Sequence, residues 1–234
     1  MIPISDDNPT RITPVVTWLI VAACVAVFLW EISLGKAMDG ALFVLGFTPV
    51  ALFHPQAASE GAAYYSPYTT IFVSMFLHGG FLHLAGNMLY LWIFGNNVED
   101  AMGHIRFTFF YLVSGIAAAL TFAIIEPSSQ IPMVGASGAI SGILAAYVLL
   151  YPRARVRVIV PLGFFLYPMT VSAIWVIGFW FLYQLLMAAL SNPTQPGTAW
   201  WAHVGGFAIG LLLTPILKSS EFPLFGQPRR GPWG

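Results

Sequence analysis

Six long apolar stretches follow one another along the chain, with a long connection after the first and shorter segments between the others. They cover about residues 13–32, 81–95, 107–125, 137–151, 166–190 and 200–217. A helix of about 20 apolar residues crosses the hydrocarbon core of a bilayer, and most of these stretches approach that length. The pattern therefore predicts an all-α fold, a polytopic membrane protein built as a bundle of six transmembrane helices.

The remaining segments divide the chain further. Residues 1–12 are predicted to be a short N-terminus, residues 13–217 the membrane domain, and residues 218–234 a flexible C-terminal tail rich in Pro and Gly. The first span is interpreted as retained rather than as a signal peptide. Asp6 and Asp7 precede it with only Arg11 as a basic residue, and no small-residue cleavage site follows it.

Composition supports a membrane protein. Hydrophobic residues make up 58% of the chain and charged residues only 8%, whereas soluble domains contain roughly 25% charged residues. Nine basic and nine acidic residues balance, so no nucleic-acid partner is expected. The single cysteine, Cys24, excludes an intramolecular disulfide.

The basic residues predict the orientation of the six spans. An even number of spans places both termini on one side of the membrane. If that side is the cytoplasm, eight of the nine basic residues are cytoplasmic and only Lys36 lies outside. This distribution follows the positive-inside rule, so we expect a multi-pass protein of a cell membrane with both termini in the cytoplasm.

Polar residues occur at matched positions in three spans that run in the same direction. Ser137 and His203 lie in the first turns of the fourth and sixth spans, and His83 and Asn87 lie in the first two turns of the second. At a rise of about 1.5 Å per residue they share one depth, several ångströms below the outer surface. Such costly groups indicate a functional site when they face the protein interior.

The spacing within each span favours a cluster. His83 and Asn87 are four residues apart and project from one helix face. Ala202, Gly206 and Gly210 form a stripe of small residues, which allows two transmembrane helices to approach closely. Close packing of the fourth and sixth spans would bring the Ser137 hydroxyl within hydrogen-bond reach of His203, the geometry that activates a nucleophile.

The acidic residues favour a serine–histidine dyad over a triad. All nine lie outside the spans or at their ends, so none is placed to orient His203. The same distribution excludes an aspartyl intramembrane protease, which needs paired aspartates within its spans. A His-Glu-x-x-His zinc motif is absent from the sequence as well. We expect no metal and no cofactor.

Three motifs together resemble the rhomboid family of intramembrane serine proteases, in its bacterial type with six spans. They are His83-Leu-Ala-Gly-Asn87, Gly135-Ala-Ser-Gly138 and Ala202-His-Val-Gly-Gly206, in the family's order and on its second, fourth and sixth spans. The likeness extends over about residues 6–217. It implies that Ser137 is the nucleophile and His203 the general base. His83, Asn87 and the backbone N–H of Ser137 are then oxyanion donors, and His78 is structural.

The resemblance further implies an endopeptidase that cleaves transmembrane or membrane-proximal segments of membrane protein substrates near the outer face. We expect it in a bacterial inner membrane, with residues 126–134 and 191–199 as covering elements. Pro193, Pro196 and Gly197 make the second of these a candidate moving cap. Substrate is expected to enter between the fifth and second spans. The sequence does not predict an oligomeric state.

Two features depart from the family pattern. Ser141 stands where the family often has an aromatic residue that stacks on the catalytic histidine, and residues 33–70 lack a Trp-Arg pair. Support for His203 must therefore come from elsewhere. The tryptophans are interpreted as an interfacial belt or lipid-facing packing. This interpretation covers seven of the eight tryptophans, namely Trp18, Trp30, Trp92, Trp175, Trp180, Trp200 and Trp201.

Two other functions remain as alternatives. A non-catalytic rhomboid-like binder of transmembrane clients would be expected to lack the nucleophile or the base, and both Ser137 and His203 are present. A haem- or metal-binding membrane protein would use His78, His83 and His203, but they lie on different spans without a four-helix ligand pattern.

Overall fold

The fold is mainly helical, and the computed structural model describes residues 1–163, 165–191 and 197–226. The helices are α1 Val15–Ser33, α2 Met38–Leu45, α3 Pro49–Phe53, α4 Pro67–Val73, α5 Phe81–Tyr90, α6 Asn96–Met102, α7 His104–Ile125, α8 Ser137–Leu150, α9 Ala173–Leu190 and α10 Trp200–Leu217. The strands are β1 Ile2–Asp6, β2 Arg155–Leu162 and β3 Phe165–Ser172. A π-helical segment, Leu91–Gly95, joins α5 to α6. Short 3₁₀ turns, Gly35–Ala37 and Pro55–Ala57, lie in the long connection after α1.

The predicted helical membrane fold is confirmed. Within the described residues, α1, α7, α9 and α10 are long and apolar enough to cross a membrane. The second predicted span is α5, the π-helical segment and α6, which follow one another without a break to Met102. The fourth, α8, has 14 residues and is about 21 Å long. It is shorter than the roughly 30 Å apolar layer, which fits a helix that begins below the membrane surface.

Helix α8 forms the centre of the bundle. Its side chains are buried almost throughout, and Ile143, Leu144 and Tyr147 are completely inaccessible. The outer helices instead expose large apolar residues, such as Leu29 of α1 and Leu186 of α9. This distribution is typical of a membrane protein, in which the peripheral helices face lipid and a central helix carries the site.

Both ends of the described chain lie at the end of the bundle opposite Ser137. The buried Glu99 carboxylate of α6 accepts hydrogen bonds from the backbone N–H groups of Val16 and Thr17, at 2.9 and 2.8 Å. These are unsatisfied donors at the start of α1. After α10, the backbone N–H of Ser219 donates to the carbonyl of Ala101 at 2.8 Å. The described chain therefore returns to the end of the bundle at which it began.

The predicted close approach of the fourth and sixth spans is confirmed. A methyl carbon added at Gly210 of α10 would lie 2.5 Å from the carbonyl oxygen of Gly142 in α8. A methyl carbon at Gly206 would overlap the carbonyl of Gly138. The two backbones therefore pack with no room for a side chain, and this packing sets the separation between Ser137 and His203.

We expect Gly210→Ala to destabilise the protein by about 1–3 kcal/mol, because the added methyl group must push α10 away from α8. Thermal unfolding in detergent micelles measures the effect. Gly178→Ala is the matched control. Gly178 also lies within a helix, but an added methyl carbon there meets nothing within 4 Å, so this variant should be neutral or more stable. Equal behaviour of the two variants would be evidence against the packing argument.

A three-stranded antiparallel sheet, in the order β1-β2-β3, corrects the prediction for the fifth span. We predicted that this span begins near residue 166, but residues 166–172 belong to β3 and α9 begins only at Ala173. Pro168 cannot donate a helical hydrogen bond. Val156 and Val158 of β2 alternate with polar residues and are fully buried against the bundle. Apolar runs of this length do not by themselves distinguish strand from helix.

The described part of the predicted C-terminal tail contacts the bundle. Phe222 is buried at 3% exposure, and the backbone N–H of Phe225 donates to the carbonyl of Leu149 at the end of α8. Burial of an aromatic ring fixes this segment against the bundle. Residues 227–234, which include Arg229 and Arg230, lie outside the described residues.

Asp6 of β1 joins the sheet to the bundle. Its carboxylate accepts a hydrogen bond of 2.6 Å from the Tyr147 hydroxyl of α8 and one of 3.1 Å from the Asn97 amide of α6. Burial raises the pKa of Asp6 from 3.8 to about 6, and the Tyr147 hydrogen bond only partly opposes that rise. The N-terminus thus carries a carboxyl group that folding shifts towards its protonated form.

This shift predicts how stability depends on pH. A carboxyl group with a raised pKa in the folded state takes up a proton on folding, so its contribution to the free energy of unfolding falls as pH rises from about 4 to about 6. We expect Asp6→Asn to remove that dependence while keeping an acceptor for Tyr147. The difference in melting temperature, variant minus wild type, should therefore be larger at pH 8 than at pH 4.5. A constant difference would show that Asp6 does not titrate in this range.

Candidate active site

Ser137 and His203 are in direct contact. Ser137 is the first residue of α8, His203 lies in the first turn of α10, and the distance from Ser137 Oγ to His203 Nε2 is 2.7 Å. His203 is buried at 7% exposure. A serine hydroxyl at this distance from an imidazole nitrogen has the geometry of an activated nucleophile and its general base.

His83 and Asn87 lie on the other side of the loop that leads to Ser137. Gly135 has φ of +122°, and a methyl carbon added to it would lie 2.7 Å from His83 Nε2 and 3.5 Å from Asn87 Nδ2. Glycine is therefore required at this position by backbone conformation and by space. Its absent side chain lets two polar side chains of α5 come within reach of the loop before the serine.

Both side chains of α5 present nitrogen atoms that can donate. The backbone N–H of Gly79 donates a long hydrogen bond of 3.4 Å to His83 Nδ1, so the proton of a neutral His83 ring lies on Nε2, the atom that faces Gly135. Asn87 is 8% exposed, and its buried Nδ2 has no hydrogen-bond partner among the described residues. A buried amide without a partner is costly unless a ligand supplies the acceptor.

A cavity of about 1080 Å³ adjoins Ser137, His203 and His83, while Asn87 is not among its described lining residues. Ser137, His203, His83 and Gly135 line it, together with residues of the two predicted covering elements. From the first element these are Glu126 and residues 129–134, and from the second Ser191 and residues 197–199. Pro193 and Pro196 lie outside the described residues. Partial burial raises the pKa of Glu126, the carboxylate among the described lining residues.

The support of His203 was missing from the sequence interpretation. His203 Nδ1 lies 2.7 Å from Oε1 of Gln184 in α9. The ring also contacts Trp180, with centroids 5.9 Å apart, and Trp200, at 6.1 Å and nearly perpendicular. Trp180 and Trp200, interpreted from the sequence as belt or lipid-facing residues, therefore also contact His203. Gln184 could have been found, since it is the one amide side chain in an otherwise apolar or aromatic span, the signal that marked Ser137 and His203.

Ser141 and His78, two further residues considered in the sequence analysis, make hydrogen bonds within the scaffold. The Ser141 hydroxyl donates to the carbonyl of Ser137 at 2.7 Å, within the helix. His78 is completely buried, and its backbone N–H donates to the Glu31 carboxylate at 3.0 Å. Its ring Nδ1 contacts the carbonyl of Phe76 at 3.1 Å. His78 thus holds the turn before α5 against α1.

The sequence of this chain is similar to those of several known proteins. A sequence model of the Rhomboid domain matches residues 65–220, more than half of the chain. "RHOMBOID-like protein 4" of Arabidopsis thaliana is 32% identical over 156 residues, 67% of this chain and 36% of that protein. "Rhomboid protein 1, mitochondrial" of Saccharomyces cerevisiae is 33% identical over 153 residues, 61% of this chain and 40% of that protein.

A bacterial relative extends the match over most of the chain. "Rhomboid protease GluP" of Bacillus subtilis is 31% identical over 219 residues, 92% of this chain and 37% of that protein. The chain thus spans well under half the length of these three relatives. The family match nevertheless includes all three motif-bearing helices and the residues in contact at their ends. This chain belongs to the rhomboid family.

Proposed function

We propose that this protein is an intramembrane serine endopeptidase that cleaves transmembrane or membrane-proximal segments of membrane proteins. The observation that carries the proposal is the 2.7 Å contact between Ser137 Oγ and His203 Nε2, next to the cavity. Membership of a family that includes a protein named as a protease supports the same activity. The substrates are transmembrane proteins that share the bilayer with the enzyme.

The reaction follows from the two side chains. Ser137 Oγ attacks the carbonyl carbon of the scissile peptide while His203 Nε2 takes the hydroxyl proton. The resulting imidazolium then donates that proton to the leaving amine, and the peptide C–N bond breaks to leave an acyl-enzyme. Water, deprotonated by His203, hydrolyses the ester and releases the second product with a free Ser137.

Three donors stabilise the charge that develops on the carbonyl oxygen in this proposal. They are the backbone N–H of Ser137, Nε2 of His83 and Nδ2 of Asn87. The first belongs to the start of α8, where helix N–H groups have no intrahelical acceptor. The unpartnered Nδ2 of Asn87 supports its assignment, because the oxyanion would supply the acceptor that this buried amide lacks.

We further propose that residues 13–217 form the membrane domain of a bacterial inner-membrane protein and that both termini are cytoplasmic. The site then lies near the outer face, at the beginning of the short helix α8. Most residues of 126–134 and the described residues of 191–199 line the cavity, and these two segments would cover it. Substrate would enter between α9 and α5, the helices of the fifth and second spans.

A non-catalytic binder is the second candidate, and one comparison favours it. "Inactive rhomboid protein 1" of Drosophila melanogaster is 35% identical over 80 residues, 34% of this chain and 6% of that protein. The Ser137–His203 contact favours the enzyme, because a binder of clients needs neither group.

A serine-directed fluorophosphonate probe tests the choice between enzyme and binder. The wild-type protein in detergent micelles should become labelled, and labelling should be lost both in Ser137→Ala and in His203→Ala, which retains the hydroxyl but lacks its base. Mass spectrometry should locate the adduct on Ser137. An unlabelled wild type that is correctly folded, or equal labelling of Ser137→Ala, would favour the binder.

A further inference from the structure

We propose that Gln184 is a positioning residue that holds His203 with its proton on Nδ1 and its free electron pair on Nε2. This inference rests on the proposed function, in which Nε2 accepts the serine proton. Gln184 lies in α9, has 3% exposure, and is outside the three motifs that indicate the site. Its contacts determine which way its amide points.

The backbone of α9 orients the amide of Gln184. Nε2 of Gln184 donates a hydrogen bond of 3.2 Å to the carbonyl oxygen of Trp180, one helical turn earlier. A carbonyl only accepts, so the NH₂ group must lie on that side. Oε1 therefore faces His203, at 2.7 Å from Nδ1. The reversed amide would place two oxygen acceptors against each other at Trp180 and turn donors towards the ring.

The oriented amide in turn selects the tautomer of His203. Oε1 of Gln184 only accepts hydrogen bonds, so a contact of 2.7 Å requires a proton on Nδ1. In the neutral ring the other nitrogen then carries the electron pair, and it lies 2.7 Å from Ser137 Oγ. In the opposite tautomer the buried Oε1 would face an unprotonated Nδ1, and Nε2 would present its N–H to the Ser137 hydroxyl.

Gln184 thus performs for His203 the orienting role that a buried carboxylate performs in serine triads, without adding a charge to the site. In soluble triad proteases the loss of the correct tautomer lowers kcat by about 10⁴-fold. A neutral amide supplies orientation but not charge, so we expect a smaller loss here. Trp180 and Trp200 restrain the ring from other sides. Together these contacts replace the aromatic support that is absent at Ser141.

Two variants of Gln184 separate orientation from packing. Gln184→Met keeps the length of the side chain but removes the acceptor, and should lower kcat about 10²-fold with little change in KM, because Gln184 does not line the cavity. Gln184→Glu keeps an oxygen acceptor for His203 Nδ1 at the same reach. A proton on the other carboxyl oxygen replaces the donor to the Trp180 carbonyl, so kcat should stay within about tenfold of wild type. Val176→Ala is the control for packing, since Val176 is a buried residue of α9 with 4% exposure.

The tautomer of His203 can be determined directly by NMR spectroscopy, without an activity assay. In the full chain labelled with ¹⁵N-histidine in micelles, the resonances lost in His203→Ala identify His203. We expect a protonated Nδ1 and an unprotonated Nε2 in wild type and Gln184→Glu, and a mixed or reversed population in Gln184→Met.

The outcomes separate this proposal from the proposed function. A wild-type His203 with its proton on Nε2, or a Gln184→Met protein with unchanged tautomer and unchanged kcat, would overturn the positioning role even if Ser137 is catalytic. The wild-type spectrum decides this even if a variant fails to fold. A kcat loss in Val176→Ala equal to that in Gln184→Met would also count against it, as an effect of packing. A wild type that shows the expected tautomer but neither cleaves nor becomes labelled would refute only the protease assignment.

Discussion

Replacing Ser137 by alanine, or His203 by alanine, is expected to lower the cleavage rate by about 10⁴-fold or more. In soluble serine proteases the loss of either group costs up to about 10⁶-fold in kcat. We expect a comparable loss here, because the two groups act together. The Ser137 hydroxyl transfers its proton to His203 Nε2, 2.7 Å away. The measurement is cleavage of a panel of single-span substrates in liposomes, with product formation followed over time. The double variant should be no worse than either single variant.

Ser141→Ala is the matched control for this experiment. Ser141 lies one turn beyond Ser137 in the same helix, and its hydroxyl donates only to the carbonyl of Ser137 among the described hydrogen bonds. Its loss should leave the cleavage rate within a few-fold of wild type. Cleavage by Ser137→Ala or His203→Ala at the wild-type rate would refute the proposed mechanism, whatever the substrate.

Replacing Asn87 by alanine should lower kcat by about 10²–10³-fold and change KM little. An oxyanion donor contributes mainly in the transition state, when negative charge appears on the carbonyl oxygen, and loss of one such donor in a soluble serine protease has this effect. The unpartnered Nδ2 of Asn87 is a donor already buried and available before substrate binds. Steady-state kinetics with a fluorogenic single-span substrate in micelles measures both constants.

Asn97→Ala provides the comparison for Asn87→Ala. Asn97 is a buried asparagine of α6, the helix that continues from α5 through the π-helical segment, but its amide donates to Asp6 at the end of the bundle far from the cavity. Its replacement should lower stability and leave kcat of the folded enzyme unchanged. An Asn87→Ala enzyme that loses stability but keeps its kcat would indicate that Asn87 is a packing residue.

The sequence was sufficient for the helical membrane fold and for the polar residues that the structure brings close to one another or to the loop before Ser137. Ser137, His203, His83 and Asn87 were found because each is a polar group near the start of an apolar span, where polar groups are expensive. Their common depth followed from the length and direction of the spans. The stripe of Gly206 and Gly210 indicated which helices pack closely, and the structure confirms that packing.

Other features could not be predicted, since they depend on partners distant in sequence. Residues 166–172 continue without a break into the apolar helix that follows them, and only pairing with β2 makes them a strand. The sequence pattern of the first tail residues does not predict packing, yet the Phe222 side chain is buried against the bundle. Trp180 and Trp200 are typical of belt residues by their type and position in the sequence. Their contacts with His203 are visible only in the structure.

The sequence by itself determined the class of fold and indicated the serine and the histidine that the structure brings into contact. Apolar length and costly polar residues are local properties of the chain. Only the tertiary structure decided how His203 is held and which atoms surround Gly135. Gln184 lies 19 residues from His203 and on another helix, and no pattern within either helix specifies their 2.7 Å contact. Packing of α9 against α10 brings the two together, because a hydrogen bond requires a distance and an angle that sequence spacing alone cannot supply.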